Sequence, residues 1–172
     1  MSFIRKNFLA MLIFFTATLA LILVHVLPGA YGGVGKEKYY IKTLDFIFGG
    51  ATVQVYTEDF SASIVLKGGV SIFGVISIVS LLLGVALAIA SFYNRTSRLE
   101  YYGAVLIVVS GISMLLLFNM GTLVTVDKRI IDYRSFIFSH GFNLSIGAIV
   151  YGIITIVIGI IGIIIEEYNL IR

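Results

Sequence analysis

Four stretches of this chain each exceed the roughly 18 uncharged residues that mark a helix long enough to cross a bilayer, and that alone restricts the fold severely. They lie at about 8–27, 68–93, 101–126 and 141–165. In hydrocarbon every backbone N–H and C=O must be bonded inside the protein, and an α-helix does this within a single segment. With 59% hydrophobic and 12% charged residues, against about 25% charged in ordinary soluble domains, one water-facing core cannot hide so much apolar surface. The expected fold is an all-α membrane protein, a four-transmembrane-helix bundle forming a single membrane domain over residues 1–172.

The first stretch follows Arg5 and Lys6 and is longer than the 7–15 residue apolar core of a cleaved signal peptide, roughly, while Pro28 crowds the one small-residue exit at Ala30. It reads as an uncleaved signal anchor. Residues 94–100, carrying Arg95 and Arg98, are all that joins the second and third stretches, which therefore form an antiparallel helical hairpin. Four crossings put both termini on one side. Placing them inside leaves Arg5, Lys6, Arg95, Arg98 and Arg172 inside, and Lys36, Lys38, Lys42, Lys67, Lys128, Arg129 and Arg134 outside. The raw count favours the reverse, but the inner charges abut the helices and the exit of the first helix is uncharged from Pro28 to Gly35, so proximity favours cytoplasmic termini at the cell membrane. Phe92, Tyr93, Tyr101, Tyr102 and Tyr168 then form an inner aromatic belt.

In the first outer loop, 28–67, the hydrophobic period changes from helical to two. Phe60, Ala62, Ile64 and Leu66 alternate with Ser61, Ser63 and Lys67, the pattern of a strand with one apolar face, expected to pack on the bundle or the other loop, with an outer-face contact to a partner as the alternative. Thr52 to Thr57 alternates likewise, and Tyr39 to Phe48 is rich in aromatic and β-branched residues. With Gly49-Gly50 and Glu58-Asp59 as turns, the loop is predicted to form a small extracellular antiparallel β-sheet of three strands. In the second outer loop, 127–140, the segment Ser135-Phe136-Ile137-Phe138-Ser139 fits a strand or a helix extension equally.

Small residues recur in the last stretch at Gly141, Ser145, Ala148, Gly152, Thr155, Gly159 and Gly162, in alternating steps of four and three. That spacing keeps one stripe toward a partner, and small side chains let backbones approach where lipid supplies no hydrophobic drive. The second stretch has a looser version, Gly74, Ser77, Ser80, Gly84, Ala88 and Ser91, so helices two and four are expected to be the tightly packed members. Packing within one bundle is the leading reading of the stripe, and an oligomer interface on helix four the alternative. Among intramembrane polar residues, which include Thr16, Thr18 and the serines, Asn119 is the most costly to leave unpaired and is a candidate for an interhelical hydrogen bond, with a pore-lining or lipid-headgroup role as the alternative.

The remaining chemistry is sparse. No charge lies mid-span, which weighs against a proton relay or voltage sensor. The net charge is +3 with Lys and Arg scattered, so no nucleic-acid partner is expected. Without cysteine there is no thiolate and no disulfide. His25 and His140 lack metal-ligand spacing, and Glu166-Glu167 reads as the polar stop of helix four. No catalytic residue, cofactor, metal or small-molecule substrate is inferred, and Asn94-Arg95-Thr96, although a glycosylation acceptor pattern, faces inward in this topology.

Four helices, a long strand-bearing first loop, a tight inner turn and a short second loop resemble the layout of claudins and related tetraspan proteins. The resemblance implies a bundle with an outer sheet and carries over no functional residue, because the chain has neither Trp nor Cys. The expected function is non-enzymatic: a structural, assembly or protein-interaction role through the outer loop, with membrane lipid and either a protein partner or self-association as contacts. The alternative is a channel or an accessory subunit of a larger membrane transport or respiratory complex. The membrane assignment has a direct check: alkaline carbonate should leave the polypeptide in the vesicle pellet, and release into the supernatant would refute it.

Overall fold

The computed structural model describes residues 8–34, 36–48, 52–56, 61–65, 70–94, 97–117, 123–124, 139 and 141–170. Four long helices cross the molecule: α1 (Phe8–Val26), α3 (Ile72–Asn94), α4 (Ser97–Leu115) and α5 (Ile146–Leu170). A short helix, α2 (Thr43–Phe48), lies among the strands β1 (Pro28–Val34), β2 (Glu37–Lys42), β3 (Thr52–Tyr56), β4 (Ser61–Val65), β5 (Val70–Ser71), β6 (Leu123–Val124) and β7 (Asn143–Leu144). All four long helices are apolar enough to span a bilayer. The third is the least so, with mean hydropathy 1.3 against 2.5 to 2.9, because it opens with Arg98 and Glu100. This is a multi-pass membrane protein with four spans.

The helices close a ring in the order α1, α3, α4, α5, and α4 makes the most extensive contacts, one face on α3 and the other on α5. Small and polar residues sit inside the bundle among larger buried side chains such as Ile13, Leu81, Ile107, Met114 and Tyr151, and the outside is large and apolar. Ser77, Ser110 and Thr155 are fully buried, whereas Phe15, Ile22, Leu82, Ile153 and Ile164 are more than half exposed, as suits a lipid solvent. The small-residue stripe of α5 faces inward. A Cβ on Gly152 would lie 2.6 Å from Leu115 Cδ2, one on Gly159 2.9 Å from Ala104 O, and one on Gly162 2.9 Å from Leu9 Cδ1. Its partners are therefore α4 and α1. Helix α3 reaches α4 by the same device: the Cβ positions of Gly84 and Gly103 each lie 3.1 Å from the other residue's carbonyl oxygen. Helices two and four each pack closely against helix three, whose own Gly103, Ser110 and Gly111 complete the seams.

Several boundaries differ from expectation. The third helix ends at Leu115, not near 126, and the fourth begins at Ile146, so Gly141 precedes it in a turn with φ of 57°. Residues Asn143–Leu144 ahead of that helix are drawn into the sheet instead.

The five-stranded sheet has the order β4-β3-β2-β1-β7, antiparallel throughout. The predicted meander is present as β2-β3-β4. It is widened by β1, a glycine-rich stretch with no strand signature, and by β7 from the second loop. Tyr39 to Phe48 is not one strand: the chain leaves β2 at Lys42 and enters α2. The reason is burial at helical spacing, since Thr43, Phe46 and Ile47 are all enclosed, and a strand would turn the adjacent Phe46 and Ile47 to opposite faces. Ile47 plugs the start of α3, where a Cβ on Gly74 would come within 2.6 Å of its Cγ1. Ser71 caps that helix, its Oγ accepting from Gly74 N–H at 3.2 Å and donating to Leu117 O at 3.2 Å.

The seam between α4 and α5 has the least slack. A Cβ on Gly111 would meet Thr155 Oγ1, and would also sit 2.7 Å from the Gly152 carbonyl oxygen, which no rotamer change can relieve. Gly111→Ala is expected to lower stability by about 1–3 kcal/mol, and Gly103→Ala by less, measured by unfolding in mixed detergent micelles.

Candidate functional site

The sheet is joined rigidly to the bundle. Helix α1 closes its last turn with Leu27 N–H to Leu23 O (2.9 Å), and Pro28 starts β1 at once, a strand position that needs no donor. Thr43 Oγ1, at the head of α2, donates to Leu27 O (3.1 Å), and Ser145 N–H, at the head of α5, donates to Gly29 O (2.8 Å). Side chains have no room there: a Cβ on Gly29 would lie 2.8 Å from Thr43 Cα, and one on Gly147 2.5 Å from Pro28 O. Tyr39 on β2 and Phe142 just before β7, both buried, stack at a tilt with ring centroids 6.3 Å apart. Two helix ends and a short helix thus hold the start of β1 by hydrogen bonds and close backbone approach.

From β1 the sheet grows outward. Along β2, Lys38 and Lys42 are exposed and Tyr39 and Ile41 buried, so one face meets water and the other the core. Cross-strand register aligns Ile41, Val53 and Ile64 in one row and Tyr39, Val55 and Ala62 in the next. Of the expected outer contact set, Ala62 and Ile64 are therefore in β4, while Phe60 and Leu66 lie outside the described residues. Strand β4 ends the sheet, three strands away from β1, and among the described residues no strand pairs with its outer edge. Its five pairs with β3 run without a bulge.

Inside the bundle, hydroxyls join three helices. Ser77 Oγ of α3 donates to Ser110 O of α4 (2.8 Å), and Ser110 Oγ lies 2.7 Å from Tyr151 OH of α5, with Ser77 Oγ 3.4 Å from the same phenol. All three residues are fully buried. The group joins α3, α4 and α5 through hydroxyl contacts. Thr155 is satisfied within its own helix by Tyr151 O at 2.8 Å, as Thr16 is by Leu12 O at 2.7 Å and Thr18 by Phe14 O at 2.9 Å.

At the end opposite the sheet, Glu100 in the first turn of α4 and Glu166 on α5 are both buried and close enough to repel each other, with Ser91 of α3 within hydrogen-bonding reach of Glu100. Glu166 is therefore part of the helix packing and Glu167 is exposed, and the helix does not stop at this pair as expected but runs on to Leu170. Sequence reading missed this meeting because the two residues are far apart in the chain. The one local signal is an acid at a helix start, where the macrodipole favours it.

Of the other residues singled out from the sequence, Ser145, Ala148, Gly152, Thr155, Gly159 and Gly162 lie buried on one side of the α5 region, with Gly141 outside the helix. His25 is exposed on α1, and Asn119, His140 and 135–138 lie outside the described residues. Among the described residues no group of three metal-ligating side chains occurs. Comparison with protein-family models, with curated proteins and with solved structures returned no match.

The hydroxyl group at the bundle centre is open to a double-mutant cycle. Tyr151→Phe and Ser110→Ala are expected to be coupled by about 0.6 kcal/mol and no more than about 1.7, measured by unfolding in micelles, and zero coupling would show that the 2.7 Å contact contributes nothing.

Proposed function

We propose that this chain is a non-enzymatic assembly protein of the cell membrane, in which the bundle is an anchor and the sheet, held outside with both termini in the cytoplasm, docks another polypeptide. The observation that carries this reading is the character of β4. Sheet edges are ordinarily protected by Lys, Pro or a bulge. Strand β4, Ser61-Ala62-Ser63-Ile64-Val65, has no charge and no proline, and its register with β3 is regular. Among the described residues no strand covers this edge of five residues, which suits strand addition, in which main-chain hydrogen bonds supply affinity and alternate side chains supply selectivity.

Rigid attachment supports the same reading. A docking strand on a floppy loop loses entropy on binding, whereas this sheet is already ordered by its junction with α1, α2 and α5. The filled bundle centre, with Ser77, Ser110 and Tyr151 in mutual contact, favours an anchor over a pore through a single copy.

A photo-crosslinker placed at Ser63 through a single introduced cysteine is expected to capture polypeptide in native membranes, while the purified protein in liposomes passes no ions. The same residue change at Ser61 should be labelled by an impermeant thiol reagent on intact cells. Ion flux without any polypeptide adduct would replace this reading with the channel class, and labelling only after lysis would invert the orientation.

A further inference from the structure

The water-facing side of the sheet carries chemistry that docking at β4 does not use. We propose that this face, across β7, β1 and β2, is a platform for an acidic polysaccharide, a chain of sugar rings bearing carboxylate or sulfate groups. Tyr31 and Tyr40 stack on the rings, and Lys38 and Lys42 pair with the anions. The site is separate from the β4 edge, and its ligand does not depend on what meets that edge.

Register brings these residues together. Tyr31 on β1 stands opposite Tyr40 on β2 and opposite Asn143 on β7, so the three form one row across three strands. Tyr31 is 46% exposed, Asn143 is exposed and Tyr40 is half-buried. Along β2, Tyr40 lies between Lys38 and Lys42, both exposed on its face and each roughly 7 Å along the strand from it. Lys38 pairs with Gly33, which is exposed and leaves the floor bare beside it, and Lys42 pairs with Pro28 at the start of β1. Two phenol rings thus sit side by side with a cation before and after them. Asn143 is already oriented: its Nδ2 donates to Gly141 O at 3.0 Å, which leaves the amide oxygen to accept from a sugar hydroxyl.

Charge sets the sign of the ligand. Strands β1 and β7 contain no acidic residue, and the one in β2, Glu37, is out of step with Lys38, Tyr40 and Lys42. The arrangement sets its kind. Main-chain N–H and C=O groups of β1 and β2 are committed to their ladder, so a peptide laid on this face would find no strand pairing, which sheets offer only at edges. A phosphate headgroup would engage the lysines and leave the tyrosines idle. A sugar ring has a face of C–H groups that packs on an aromatic ring, while the hydroxyls at its rim stay bonded to water. Tyrosine supplies such a surface at low entropic cost, because only two side-chain torsions are fixed.

The full chain in nanodiscs of zwitterionic lipid is expected to bind polygalacturonate or dextran sulfate, and neutral dextran several-fold more weakly, by biolayer interferometry. Binding should weaken as salt rises. Tyr31→Leu, which keeps bulk and removes the ring, should weaken it several-fold, and Tyr31→Phe should retain it. Lys38→Ala with Lys42→Ala should weaken binding and flatten its salt dependence, whereas Lys38→Arg with Lys42→Arg should preserve both. Arg98→Ala removes an exposed cation at the opposite end of the bundle and should change nothing. Failure of both acidic polymers to bind, or an equal loss in Arg98→Ala, overturns the platform. Unchanged affinity in Tyr31→Leu reduces the face to bare charge and also overturns it. Equal or tighter binding of poly-L-glutamate, or displacement of the polymer by phosphatidylglycerol vesicles, replaces the sugar with an acidic polypeptide or a lipid surface. Photo-crosslinking at Ser63 reads the assembly role separately, so either conclusion can fail alone.

Discussion

Helices dissolved in lipid gain nothing by hiding apolar surface from one another, so their association depends on how closely their backbones approach. In this protein the approach is set by glycines on three helices. Gly111 and Gly152 bring α4 and α5 together, and Gly84 and Gly103 do the same for α3 and α4. Helix α4 is thus the axis on which the bundle is built. The buried hydroxyls follow from this geometry, since only helices this close let Ser77, Ser110 and Tyr151 meet. Large side chains such as Leu81, Ile107, Met114 and Tyr151 fill the space between the seams, and others such as Phe15, Ile22 and Leu82 turn outward, where the bilayer accepts them.

The same constraint passes into the sheet. Where α1 ends, Pro28 and Gly29 leave no volume for side chains, and the heads of α2 and α5 close over them. The carbonyls of Leu27 and Gly29, which the end of a helix would leave unbonded, are taken up by Thr43 and Ser145. A strand begun this way inherits the orientation of the bundle, and each further strand inherits it through its neighbour. The outer edge at β4 is consequently held in a set direction although it is three strands removed from β1. The two buried carboxylates at the opposite end are arranged as packing elements among α3, α4 and α5.

Much of the fold could be read along the chain. Each span announces itself because lipid tolerates no charge, and the alternation at Thr52–Tyr56 and Ser61–Val65 announces strands because a sheet has two faces. The α5 stripe was legible for the same kind of reason, a period of three and four in residue size. Other elements were hidden by weak or competing local signals. Pro28–Val34 has three glycines and looks like a linker; it becomes a strand because β2 and β7 pair with it from both sides. Thr43–Phe48 has the composition of a strand, and its helical spacing shows only once Thr43, Phe46 and Ile47 are buried together.

The sequence by itself determined that the chain enters a membrane four times, that a sheet stands between the first two crossings, and which face of the last helix is small. These follow from local period and from the cost of burying charge, which neighbouring residues suffice to express. Tertiary structure alone decided that the small face meets helix three and not helix two, that Glu100 and Glu166 come together, and that the second loop contributes a strand to the first loop's sheet. Those outcomes depend on shape matching between segments far apart in the chain, where the fit of a glycine to a distant carbonyl leaves no trace in local pattern.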